Sequence, residues 1–314
     1  MHRFGTLALA ALMTLGLAAA PLAARSATPT ALPPSPGPPA ESFDSGMLHV
    51  DRYGAGAQAV VLIPGLSCGP WEWYGVIAHL APKYTVYALT LPGFDGRPAS
   101  AKKPLISAFV TDFGALLDAH KIVKPIVVGH SLGGTLAIVL GERMPLRLKS
   151  IVAVDGLPVF PTVASMTADQ RVAAALQMAA PLANDSPTQF AAGNSSFMSS
   201  YGTSVPALVE PASVELSKSD PLAAAAWLQE DVAGDWRPAL REIALPLTEI
   251  MPYYAPDHTG PPLPYTQDQT QAFYASLLAG APHLTIVPIA QARHFVMLDQ
   301  PDAFDAALDP LLAK

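Results

Sequence analysis

From residue 47 onward the chain alternates short apolar runs with longer segments of helical pattern. "MLHVDRYG", residues 47–54, alternates apolar and polar positions, as a half-buried strand does. "AVVLI", Ala59 to Ile63, is a continuous apolar run, which predicts a strand buried on both faces. "YTVYALTL", "PIVVGH", "SIVAVD", "PLTEIM" and "HLTIVPI" read as strands of the same kind. Helical patterns at Ser107 to His120, Leu132 to Met144, Thr266 to Leu278 and Asp302 to Leu311 separate most of them. Strands alternating with helices predict an α/β fold with a mostly parallel central sheet and helices on both faces. Between Asp155 and Leu245 the alternation stops. Helix-start signals replace it: Thr167 and Gln170 are spaced as a capping box, and Asp220-Pro221 supplies a cap followed by a first-turn proline. An insertion after a strand's carboxyl end lies over the ligand crevice of such a sheet. Residues 157–241 are therefore expected to form a helical cap, with residues 43–156 and 242–314 as the core.

The region before the first strand is of a different kind. Arg3 precedes an uncharged apolar run from Leu7 to Ala20, and small residues then surround Ala20, Ala24 and Ser26. The run is short of the roughly 20 residues that span a bilayer. It reads as a secretory signal over residues 1–26, removed on export to the periplasm or medium and leaving no stable membrane anchor. Residues 27–42 are dense in proline and read as an extended linker.

Composition narrows the function. The 314 residues carry a formal net charge of −7 and no basic stripe, which argues against a nucleic-acid partner. Cys68 is the single cysteine, so no internal disulfide forms. There is no metal-ligand motif, dinucleotide fingerprint or phosphate loop, and no cofactor is expected.

Two stretches match G-x-S-x-G: Gly65-Leu66-Ser67-Cys68-Gly69 and Gly129-His130-Ser131-Leu132-Gly133. One triad needs one nucleophile. The turn that carries it requires a buried strand before and an uninterrupted helix after, so that helix N–H groups face a developing oxyanion. "PIVVGHSLGGTLAIVLGERM" meets both demands, whereas Pro64, Pro70 and two tryptophans interrupt the earlier stretch. Ser131 is the expected nucleophile. His294 is the expected base, because it lies after the last strand and before the last helix, at the same sheet edge. His258, which also follows a late strand, is its rival; His283 precedes its strand, and His79 and His120 fall in or near helix ends. Cys68 reads as a packed loop residue. Trp71, Trp73, Phe94, Tyr253, Tyr254 and Phe295 fall near strand ends or loops, where one or two could line an acyl or alcohol pocket.

The chain here resembles the α/β-hydrolase superfamily, in its lipase- or esterase-like branch with a cap. The resemblance rests on "GHSLGG" at 129–134, "LPGFDG" at 91–96 and "ARHFVMLDQPDAF" near the C-terminus, and the insertion has no part in it. Where the family often has His-Gly after its first inner strand, this chain has Pro64-Gly65. The resemblance implies that the backbone N–H groups of Leu66 and Leu132 form an oxyanion hole, and that His130 packs or lines the pocket. For the triad acid it leaves two positions: Asp257, in the loop most relatives use, and Asp155, at the end of the preceding core strand. Asp257 is the first choice and Asp155 the alternative. The expected activity is hydrolysis of a small carboxylic ester through an acyl-enzyme. A lactonase, amidase, carbon–carbon bond hydrolase, thioesterase or cofactor-free haloperoxidase would use the same triad, and a non-catalytic binding protein could keep the fold.

Overall fold

A computed structural model describes residues 28–258 and 266–313. The leader assigned to residues 1–26 lies outside the described residues. An antiparallel pair opens the fold: β1 (Glu41–Ser45) and β2 (Leu48–Tyr53). Then follow β3 (Ala59–Ile63), α1 (Tyr74–Leu80), β4 (Thr85–Thr90), α2 (Leu105–Ala119), β5 (Ile126–His130), α3 (Leu132–Arg143) and β6 (Ser150–Val154). Four helices come next: α4 (Ala168–Asn184), α5 (Pro187–Phe197), α6 (Pro206–Leu216) and α7 (Pro221–Ala233). The core resumes with β7 (Leu247–Tyr253), α8 (Gln267–Leu277), β8 (Leu284–Ala290), the short α9 (Val296–Asp299) and α10 (Pro301–Leu312).

The eight strands form one sheet in the order β1-β2-β4-β3-β5-β6-β7-β8. From β4 to β8 every neighbouring pair is parallel, because each crossover carries a helix across one face. Alternate residues of one strand serve opposite layers. Val61 and Ile63 join the core beneath α2 and α3, while Val60 and Leu62 join the core beneath α1 and α10. The apolar runs are continuous because both faces are covered.

Helix-start chemistry in the cap forms as its residue types require. The Thr167 hydroxyl accepts from the N–H of Gln170, and the Gln170 side chain accepts from the N–H of Thr167. The Asp220 carboxylate accepts from the N–H groups of Leu222 and Ala223 at the start of α7. The proline-rich segment is not wholly free of the domain. Leu32 packs against one core layer, and Glu41 and Ser42, read as linker, already belong to β1. No helix among the described residues is long and apolar enough to cross a membrane.

Candidate active site

The candidate residues gather at the carboxyl edge of the sheet. Ser67, Asp95, Ser131, Asp155 and Gln291 each follow the end of a strand there, and each has a positive φ. Such backbone costs about 1–3 kcal/mol per non-glycine residue and persists only where its surroundings enforce it. At Ser131 (φ 54°) the enforcement is visible. Its N–H donates to Val154 O at 2.9 Å, so β6 holds the turn while α3 starts at the next residue. Gly133 lets the strand before the other G-x-S-x-G turn come close: a Cβ there would lie 2.3 Å from Ile63 O. The two turns therefore sit side by side. Ser67 is buried in the first, and its carbonyl accepts from Ser219 Oγ at 2.9 Å. Among the described residues, no protein acceptor takes the N–H of Leu66 or of Leu132.

His294 lies in the loop between β8 and α9. Its Nδ1 meets Asp155 Oδ2 at 2.5 Å. The other oxygen of Asp155 accepts from the Tyr274 hydroxyl, supplied by α8. Burial by itself would push the Asp155 carboxyl up. The hydrogen bond from His294, the charge of that ring and the Tyr274 hydroxyl outweigh burial and hold the group below the ordinary carboxylate value.

Asp257, the first choice for the acid, is elsewhere. Its two oxygens take Arg293 Nε at 2.8 Å and Nη2 at 2.6 Å, in a partly exposed fork. Arg293 precedes His294 in the chain and also donates from Nη1 to Ser199 O and Thr203 O. The pairing with His294 expected of Asp257 is thus made by Asp155, the alternative. The physical reason is direction. Asp155 directly follows β6, beside the turn that carries Ser131, whereas Asp257 sits four residues beyond the end of β7 and is consumed by a neighbouring cation. His258 stacks on Tyr253, with ring centroids 5.0 Å apart.

Sequence reasoning missed three residues. Phe197, at the end of α5, sets its half-exposed ring edge-on to His294, centroids 5.8 Å apart. Tyr274 gave no signal, being one aromatic residue on an amphipathic helix. Glu72 had one: an acid flanked by Trp71 and Trp73 in an apolar stretch. It is fully buried, accepts from Gly65 N–H at 3.0 Å and pairs with His130 Nδ1 at 3.0 Å. Of the aromatic residues singled out, Trp71, Trp73, Phe94 and Phe295 are buried. Burial, and next the charge of Glu72, push the Cys68 thiol well up, which makes it a poor nucleophile. Donor atoms of Cys68, Glu72 and His130 lie within 4.8 Å of one another. The carboxylate and both imidazole nitrogens already have protein partners, so this cluster is satisfied without a cation.

The cap is pinned at two places. The π-helical turn Met198–Gly202 accepts from His294 N–H at Tyr201 O (3.3 Å) and from Phe295 N–H at Gly202 O (2.9 Å). On the other side, Ser219 Oγ accepts from Asp95 N–H at 3.1 Å, and Trp227 Nε1 donates to Pro92 O at 3.2 Å. A cavity of about 760 Å³ opens elsewhere, between α2, α3 and α7 beside Trp236, and none of its lining belongs to the Ser131 site.

A mostly parallel sheet with a helical insertion after β6 is the architecture of an α/β-hydrolase fold. The alpha/beta hydrolase family matches residues 60–307, and the chain belongs to that family. A pimeloyl-[acyl-carrier protein] methyl ester esterase of Aeromonas hydrophila is 30% identical over 113 residues, 36% of this chain and 43% of that protein. Lipase LipV of Mycobacterium tuberculosis is 36% identical over 109 residues, 34% of this chain and 41% of that protein. The chain thus spans about two-fifths of the length of these curated relatives. A thermophilic esterase from Thermogutta terrifontis shares the fold with a TM-score of 0.68 at 17% identity, over 87% of this chain and 98% of that one.

Proposed function

We propose that the protein is an exported carboxylic-ester hydrolase working through a Ser131–His294–Asp155 triad. The observation that carries this reading is the 2.5 Å hydrogen bond between His294 Nδ1 and Asp155 at the edge where Ser131 stands in its strained turn. With Nδ1 bound to the carboxylate, the proton sits there and Nε2 is left basic. His294 takes the Ser131 proton as Oγ attacks the ester carbonyl, and Asp155 stabilises the imidazolium that forms. The N–H groups of Leu66 and Leu132 receive the oxyanion, and preorganised donors of this kind account for a large share of such catalysis. Collapse expels the alcohol, which takes the proton from His294. Water, activated by the same base, then frees the acid. Half-exposed Phe197 suits an uncharged acyl or alcohol group beside His294. The names of the relatives, an esterase and a lipase among them, support an ester over other acyl substrates. Export is supported by the Arg3 and Leu7–Ala20 pattern alone.

The test is turnover of p-nitrophenyl esters of graded chain length, with fluorophosphonate labelling. Ser131→Ala should abolish labelling and lower turnover by about three to six orders of magnitude. Ser67→Ala should retain both. The reverse outcome would exchange the roles of the two turns.

A further inference from the structure

The buried Glu72–His130 pair has no part in the triad, yet it touches both sides of it. Both side chains are essentially inaccessible. His130 Nε2 lies 3.1 Å from the backbone O of His294. A carbonyl only accepts, so Nε2 carries a proton and donates it. Nδ1 faces Glu72 Oε2 at 3.0 Å, and those two atoms share one further proton. Glu72 Oε1 takes the N–H of Gly65 at 3.0 Å. The next peptide unit is fixed as well: Gly65 O accepts from Cys68 N–H at 3.1 Å, which turns the Leu66 N–H of that same unit to the opposite side. The imidazole presses close on this loop, since a Cβ on Gly65 would lie 2.9 Å from Nδ1. Its ring centroid is 4.5 Å from that of His294 and 4.8 Å from that of Phe295. One carboxylate therefore ties the loop bearing the Leu66 N–H, through one imidazole, to the backbone of His294.

We propose that Glu72 and His130 are positioning residues of the hydrolase, a single hydrogen-bonded unit that holds the Leu66 N–H and His294 in register around Ser131. The proposal rests on the reading of Ser131, His294 and Leu66 given above. It requires geometry and complete hydrogen bonding of the unit, not a net charge. In Glu72→Gln the amide oxygen still accepts from Gly65, the amide N–H donates to Nδ1, and Nε2–H still reaches His294 O. Glu72→Asp keeps the charge but shortens the arm, so it cannot serve Gly65 and His130 together.

The experiment is steady-state ester hydrolysis by the full mature chain, with thermal melts confirming that each variant is folded at the assay temperature. Glu72→Ala and His130→Ala should each lower kcat by about a hundredfold with KM nearly unchanged, the effect of a misplacement on the order of 1 Å. The double variant should lose about as much as either single one, because the two act as one unit. Glu72→Gln should keep kcat within about threefold and Glu72→Asp should lose about tenfold or more, an order that holds the test open if the alanine variants do not fold. A folded Glu72→Ala with wild-type kcat, a rise confined to KM, losses that add in the double variant, or Asp outperforming Gln each overturns the proposal. If Ser131→Ala retains activity, the underlying triad reading has failed instead. If Ser131→Ala is inactive and Glu72→Ala is not, only the positioning role has failed.

Discussion

Replacing each candidate acid by its amide separates Asp155 from Asp257 with one pair of proteins. The Asp155 carboxylate accepts two hydrogen bonds, from His294 Nδ1 and from the Tyr274 hydroxyl. Asparagine has one acceptor oxygen and one donor amide to place in the same two directions. If the amide nitrogen faces His294, Nδ1 must become the acceptor, the ring proton moves to Nε2, and no base remains for Ser131. If the oxygen faces His294, the tautomer survives but the imidazolium loses its anion. The loss expected for Asp155→Asn is about four orders of magnitude in kcat. At about 1.36 kcal/mol per tenfold, that is about 5.4 kcal/mol of transition-state stabilisation. Asp257→Asn removes a partly exposed ion pair whose Arg293 keeps Ser199 O and Thr203 O as acceptors. A pair of that exposure contributes about 0–1 kcal/mol, so turnover should fall by less than about fivefold. Initial rates on p-nitrophenyl butyrate, with protein corrected for folded fraction by circular dichroism, measure both. A large loss in Asp257→Asn beside a mild one in Asp155→Asn would refute the assignment.

Other expectations follow from single contacts. Glu249 in β7 is fully buried beside Asp155, neither of its carboxyl oxygens has a hydrogen-bond partner among the described residues, and burial, then the charge of Asp155, push its carboxyl well up. Its stability contribution is therefore full below the unfolded pKa of about 4.3 and is lost as pH rises from there towards the raised folded value, at about 1.4 kcal/mol per pH unit. Glu249→Gln should accordingly melt higher than the parent at pH 7 and not at pH 4; an equal difference at both pH values contradicts the buried neutral carboxyl. Phe197→Ala removes apolar contact worth about 1–2 kcal/mol beside His294 and should raise KM for aryl and medium-chain esters about five- to thirtyfold with little change in kcat. An unchanged KM across the series places the substrate elsewhere. N-terminal sequencing of protein recovered from the periplasm or medium should begin about two dozen residues into the chain, and a chain still starting at Met1 counts against export.

The layers of this fold and two members of the proposed triad were legible along the chain because they are local. A strand, a sharp turn and a helix in succession place Ser131 whatever else packs around it. A histidine between the last strand and the last helix must come out at the same edge of a parallel sheet. The acid was a different problem. β6 and β7 are neighbouring parallel strands, so Asp155 and Asp257 both leave at that edge, and spacing alone could not say which carboxyl turns towards the imidazole. Tertiary structure decided it. Arg293 engages Asp257, while Tyr274, brought in from α8, completes the hydrogen bonding of Asp155. The same holds for Glu72 with His130, for Phe197 with His294 and for the two pins of the cap, whose partners lie tens of residues away or more. Contacts of this kind depend on side-chain direction across separate elements, and periodicity, which records only which face of its own element a residue occupies, carries no such information.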